Sequence, residues 1–158
     1  MSDMLQSISD FLLSENINKN EKLLEVINHV KENNSNLHLF GLLSDGGVHS
    51  HINHLFGLLD MCKKNNVENV YLDICLDGRD TYEKSALTYL DQLQEKIDSI
   101  GLGKINIITG RYYGMDRDNN FDRLKKGYDA IVNGMGEKSE NIKDYIDKSY
   151  AQNITVID

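Results

Sequence analysis

The sequence predicts an α/β fold: a three-layer sandwich in which a mainly parallel sheet of at least four strands is flanked by helices. Two observations predict it. Short apolar runs of strand length alternate along the chain with amphipathic stretches of helical period, the pattern of successive strand–helix–strand units. Each of the first three runs then stops abruptly at a polar loop rich in glycine and charge. If those strands are parallel neighbours, the three loops converge at one edge of the sheet, where α/β proteins place their ligands.

The elements follow in order. Ser2 to Ser14 carries Leu5, Ile8, Phe11 and Leu12 at mixed three- and four-residue spacing, a weak helical pattern expected to pack loosely as a lead-in. After the polar break from Asn16 to Asn20, Asn20 caps a helix from Glu21 to Glu32 with Leu23, Leu24, Ile27 and Val30 on one face. Leu37 to Leu43 is the first strand and empties into Ser44-Asp45-Gly46-Gly47, where two glycines permit close approaches and unusual backbone angles. A helix from His51 to Lys64 follows, carrying Ile52, Leu55, Phe56, Leu59 and Cys62. Val70 to Leu76 is the second strand, leading through Asp77-Gly78-Arg79-Asp80-Thr81 to a helix from Glu83 to Ile100. That helix turns Ala86, Leu87, Leu90, Leu93 and Ile97 to the core and stops at Gly101 and Gly103. Ile105 to Thr109 is the third strand, followed by a loop from Arg111 to Asn120 and a helix from Phe121 to Asn133 with Leu124, Tyr128, Ile131 and Val132 inward. After Gly134-Met135-Gly136, a last helix from Glu140 to Tyr150 precedes Asn153 to Ile157, which reads as a fourth strand. A final strand with nothing behind it implies that the natural chain continues past Asp158. Residues 1–158 therefore read as a single domain of a longer chain.

Composition narrows the function. The 158 residues carry a formal net charge of -8, which argues against a general nucleic-acid surface. No apolar run approaches the ~18 residues of a membrane span, and the start lacks the basic residues of a secretory signal, so the expected location is the cytoplasm. Cys62 and Cys75 fall in a helical and a strand pattern and read as small buried hydrophobes in a reducing compartment. Of the 17 basic residues only Arg79, Arg111, Arg117 and Arg123 are arginine. The first three sit in the loops after the second and third strands, whereas lysines occupy the helices. Arginine offers a planar fork matched to carboxylate or phosphate, and lysine only a mobile point charge. The competing reading pairs these arginines with Asp45, Asp77, Asp80, Asp116 or Asp118 in surface ion networks.

The histidines divide by setting. His29 and His38 have no polar partners nearby in sequence and read as structural or solvent-facing. His49, His51 and His54, with Asp45, invite a metal site. The better reading makes His49 a hydrogen-bond donor to an anion, with His51 and His54 orienting it or capping the helix. Asp80 is then the natural proton acceptor for a substrate hydroxyl, with adjacent Arg79 favouring its ionised form. Small phosphorylated acids fit this inventory. Two alternatives stay open: an aspartyl phosphotransferase using Asp77 and Asp80, and a stand-alone module that binds phosphorylated acids.

Three motifs carry a resemblance: Ser44-Asp45-Gly46-Gly47-Val48-His49-Ser50-His51, Leu76-Asp77-Gly78-Arg79-Asp80-Thr81, and Gly110-Arg111-Tyr112-Tyr113-Gly114-Met115-Asp116-Arg117-Asp118-Asn119. In this order they resemble the 2,3-bisphosphoglycerate-independent phosphoglycerate mutases over almost the whole chain. The resemblance implies a glycolytic isomerase that interconverts 3-phosphoglycerate and 2-phosphoglycerate through a phosphoserine. It implies a phosphatase-like domain holding two manganese ions (Mn2+) and that serine, and an inserted phosphotransferase domain that grips the glycerate. This chain is similar to the inserted domain alone, so it is expected to hold no metal and to be inactive without its partner domain. By motif, His49, Arg79, Asp80, Arg111 and Arg117 become substrate-binding and Asp80 the proton shuttle. The family commonly has prolines after the Arg-Asp-Thr motif, where Tyr82-Glu83 stand here. Its later arginine pair, a substrate lysine, the metal ligands and the phosphorylated serine have no counterparts in this chain.

Overall fold

The computed structural model describes residues 3–155. Its centre is a parallel sheet of three strands, β1 (Leu37–Leu43), β2 (Val70–Leu76) and β3 (Lys104–Gly110), in the order β1-β2-β3. Seven helices accompany it among the described residues: α1 (Asp3–Leu12), α2 (Glu21–Glu32), α3 (Ile52–Lys64), α4 (Ala86–Ile100), the single turn α5 (Arg111–Gly114), α6 (Phe121–Asn133) and α7 (Ile142–Ala151). Among the described residues the sheet thus has three strands rather than the expected four or more. Asn153 continues the turn after α7 and residues 154–155 are irregular; the rest of the expected strand, Val156 and Ile157, lies outside the described residues.

β2 is central and buried at six of its seven positions, which is why it reads as a continuous apolar run. Side chains alternate across a strand, so its two faces can be told apart by their neighbours. Leu72 meets Leu59 of α3 and Ile97 of α4 around Gly103, so both crossover helices pack on one face. Cys75, of opposite parity, lies against Gly114 of α5. The second face therefore carries α5, and α6 rests on α5 where Gly127 meets the Tyr113 carbonyl. The core is built from Leu43, Leu59, Leu72, Ile74, Leu93 and their neighbours, joined by Ile146 of α7.

Local chemistry explains the boundaries. The Asn20 side chain accepts from the Leu23 N–H at 3.0 Å and starts α2 as expected. His51 lies just outside α3 and caps it, its Nδ1 accepting from the Asn53 N–H at 3.2 Å. α4 starts three residues later than its periodicity predicts, because residues 82–85 form a turn closed by the Ser85 hydroxyl on the Tyr82 carbonyl. Gly101 and Gly134 end α4 and α6 in the left-handed conformation that glycine adopts without steric cost.

Three expectations about packing change. α1 is docked rather than loose: Leu5 and Ser9 are buried, and Gly57 of α3 admits the Leu12 carbonyl. On α6 the expected inward set is turned around, with Tyr128 61%, Val132 57% and Ile131 37% exposed. The helix instead presents buried Gly127 to α5, because only a glycine allows the backbones that close. His38 has a strong partner after all. Its Nδ1 lies 2.8 Å from Asp73, a buried carboxylate in β2 that also accepts from Asn106 at 2.7 Å. Asn106 sits at the register shift in the β2–β3 ladder, a bulge that re-aims it toward Asp73.

Candidate functional site

The three loops that follow the parallel strands meet at the carboxyl edge of the sheet. β1 ends at Ser44, whose hydroxyl donates to Asp77 Oδ2 at 2.6 Å and so ties the first loop to the second. Gly46 packs against Asp80 so closely that a Cβ on it would lie 3.0 Å from the Asp80 Cβ. Asp45 receives the Tyr89 hydroxyl of α4 at 2.5 Å. Burial and then Asp45 push that phenol up to about 12, so Tyr89 stays a donor.

At the end of β2, Asp77 is fully enclosed. Its Oδ1 accepts from the N–H groups of Gly78 at 2.8 Å, Arg79 at 3.0 Å and Asp80 at 3.0 Å. Burial alone would raise its proton affinity; the Ser44 hydroxyl and the N–H groups of Arg79, Asp80 and Gly78 outweigh it and hold the carboxyl well below the usual range. The residue is therefore a fixed negative charge at the base of the loops.

Arg111, the first residue of α5, reaches back over that charge. Its Nη1 donates to Asp80 Oδ2 at 2.6 Å and to Asp77 Oδ1 at 3.0 Å, and its Nη2 donates to His49 Nε2 at 3.2 Å. His49 Nε2 stands 3.8 Å from Asp80 Oδ2. Burial opposes the Arg111 charge, but the hydrogen bonds and charges of Asp80 and Asp77 outweigh it and raise its proton affinity further. Because a guanidinium only donates, His49 Nε2 is an acceptor here. Donation from that nitrogen to a ligand, the role expected for it, would require the ring to leave Arg111.

Of the five expected residues, His49, Asp80 and Arg111 form one contact cluster. Arg79 and Arg117 are exposed and, among the described residues, form no ion pair. Arg79 borders an open groove of about 680 Å³ along the β2–α4 loop, with Thr81, Tyr82 and Lys84. Arg117 rides a loop shaped by Asp116, which accepts from the N–H groups of Asp118 and Asn120. The partner of Asp80 is thus Arg111, 31 residues away in sequence, and not the adjacent Arg79. Arg123 is structural: it lies over the Tyr112 ring at 4.0 Å and 3.7 Å from Asp116.

Sequence reasoning passed over Ser44 and Tyr89 and treated Asp77 only as an ion-pair partner or nucleophile. The available signal for Asp77 was its position: an aspartate closing an apolar strand before a glycine is placed to fold its side chain back onto the next N–H groups. The structure does not gather the three histidines and Asp45 into one group. His51 caps α3, His54 turns inward with its Nε2 2.7 Å from Ser9 Oγ, and Asp45 is engaged by Tyr89. Among the described residues no group of three or more His, Cys, Asp or Glu gathers around a common point. Cys62 and Cys75 are buried free thiols, pushed by burial up to about 11 and about 12 and so chemically quiet.

Fold and site together define a parallel α/β domain that presents a carboxylate, an imidazole and a guanidinium at the carboxyl ends of adjacent strands. Residues 8–156 match the family described as the BPG-independent PGAM N-terminus. The chain is 48% identical over 136 residues to the 2,3-bisphosphoglycerate-independent phosphoglycerate mutase of Lachnoclostridium phytofermentans, covering 86% of this chain and 26% of that protein. It is 52% identical over 133 residues to the mutase of the same name from Listeria monocytogenes, covering 84% and 26%. A solved structure of Leishmania mexicana phosphoglycerate mutase at low cobalt concentration superposes with a TM-score of 0.89 at 25% identity, over 97% of this chain and 29% of that one. The chain belongs to the family of BPG-independent phosphoglycerate mutases, and it spans about a quarter of the length of the curated relatives it matches.

Proposed function

We propose that this chain is the substrate-gripping part of a phosphoglycerate mutase that interconverts 3-phosphoglycerate and 2-phosphoglycerate in glycolysis and gluconeogenesis. The observation that carries the reading is the contact cluster of His49, Asp80 and Arg111, flanked on the same loops by the exposed Arg79 and Arg117, which form no ion pair among the described residues. A phosphoglycerate carries a phosphate, a carboxylate and a hydroxyl. The two exposed guanidinium groups offer forked contacts to the anions. Asp80, held by Arg111, shuttles the proton: it gives one to the glycerate oxygen as the phosphoryl group leaves for the serine and takes one from the other hydroxyl as that oxygen attacks the phosphoserine.

The phosphoserine that carries the phosphoryl group, and the two manganese ions, belong in this reading to a phosphatase-like domain outside the chain. The residues here do not fit a metal, since His51, His54 and Asp45 are each engaged elsewhere. An aspartyl phosphotransferase finds no support at Asp77, whose oxygens are both occupied by donors. In the full-length enzyme, Asp80→Asn should lower turnover by about 10²–10⁴-fold. A near-normal rate would remove Asp80 from this role.

A further inference from the structure

We propose that Asp77 is a positioning residue for the acid–base chemistry at Asp80: an enclosed carboxylate that sets the backbone of residues 78–80 and turns one edge of Arg111 onto Asp80. The inference rests on the reading of Asp80 as the proton acceptor. Asp77 cannot touch a ligand, because its side chain is 0% exposed. It touches everything that aims the residues that could. One of its oxygens gathers three consecutive N–H groups, those of Gly78, Arg79 and Asp80. That fixes the direction in which the Arg79 and Asp80 side chains leave the chain. The other oxygen holds Ser44, anchoring the arrangement to the end of β1.

The same carboxylate divides the work of Arg111. Nη1 is shared between Asp77 at 3.0 Å and Asp80 at 2.6 Å, while Nη2 faces His49. Without Asp77, the guanidinium would have one carboxylate to follow instead of two, and its second edge would lose its heading. Asp77 also balances charge. Among the described residues, the charged and titratable groups in contact with Asp80 are Arg111 from α5, His49 from the first loop and Asp77 beneath, so within that set Asp77 carries the negative charge. Its charge is constant across the working range, since its carboxyl is held far below ordinary values.

The test uses the full-length enzyme carrying Asp77→Asn, which keeps the shape and one oxygen for the N–H groups but removes the charge. With a melting temperature near that of the parent, kcat/KM should fall about 10–100-fold, as a catalytic group is displaced by a fraction of an ångström. The acid limb of the kcat/KM profile should also move to lower pH, because Arg111 then acts on Asp80 unopposed by the Asp77 charge that shares its Nη1. A folded variant whose acid limb stays in place overturns the proposal, whatever its rate, since a merely structural aspartate would leave the limb unmoved. If Asp77→Asn does not fold, Ser44→Ala decides. It frees one Asp77 oxygen and should lower kcat by about threefold or more with KM held, and an unchanged kcat overturns the proposal. Asp80→Asn run in parallel separates the two readings: normal turnover there sinks the role of Asp80 and this inference with it, whereas loss there beside an unaltered Asp77→Asn sinks only Asp77.

Discussion

Gly46→Ala adds a single carbon at the point where the first two loops touch. Built on the present backbone, that carbon lies 3.0 Å from the Asp80 Cβ and 3.1 Å from the Asp80 carbonyl oxygen, with the carbonyl carbon at 3.4 Å. Ordinary contact begins near 3.4 Å, so the loops must part by several tenths of an ångström. No side-chain rotation relieves the clash, since two of the three nearest atoms are backbone and the third is the Cβ fixed to it. Gly46 is not among the glycines with a left-handed backbone, so alanine adopts its conformation freely and the effect is steric. Moving Asp80 by ~0.5 Å stretches its 2.6 Å contact with Arg111 and its N–H contact with Asp77. A displacement of 1 Å costs about 10²-fold in rate, so half of that predicts about tenfold. The assay is steady-state kcat/KM of the full-length enzyme, read beside its melting temperature. Gly41→Ala serves as the control, because nothing lies within 4 Å of its added carbon. Activity of Gly46→Ala within twofold of the parent would refute the claim that this contact positions Asp80.

Two further predictions concern stability. Burial, and secondarily His51, lowers the proton affinity of His54 below its ordinary 6.5, so the unfolded chain binds more protons just below that pH and the protein loses stability as pH falls from 6.5. Urea unfolding at pH 7.5 and 5.5 should show a smaller difference in His54→Gln than in the parent, and equal differences would contradict the assignment. Gly57→Ala should destabilise by about 1–3 kcal/mol despite alanine's better helix propensity, because its Cβ would lie 2.6 Å from the Leu12 carbonyl oxygen. A higher urea midpoint would show that α1 is not docked through that glycine.

Much of the fold was legible because it is written in local pattern. β1 and β2 run over the residues their apolar runs predict, α2 starts where its Asn20 cap places it, and α6 stops at Gly134. The candidate site was legible in part for the same reason: parallel strands that end in glycine-containing polar loops bring those loops to one edge of the sheet. What failed were statements about partners. Arg79 was expected beside Asp80 because it is next in sequence, yet adjacent side chains diverge and the guanidinium that reaches Asp80 comes from α5. His38 looked solitary until the sheet brought Asp73 beside it. Tyr128 and Val132 were placed inward by their period, but an amphipathic pattern identifies an apolar face without saying whether anything covers it.

By itself the sequence determined the alternation of strands and helices, the family, and which polar, glycine-containing loops follow the strands. Only the tertiary structure decided that Asp77 lies beneath the site, that Arg111 bridges it to Asp80 and His49, and that Gly46 touches Asp80. The physical reason is range. Propensity, capping and periodicity act over a few residues and leave their mark in neighbouring letters. A hydrogen bond between residues 31 or 62 positions apart exists only once parallel pairing has brought the ends of three strands to one edge.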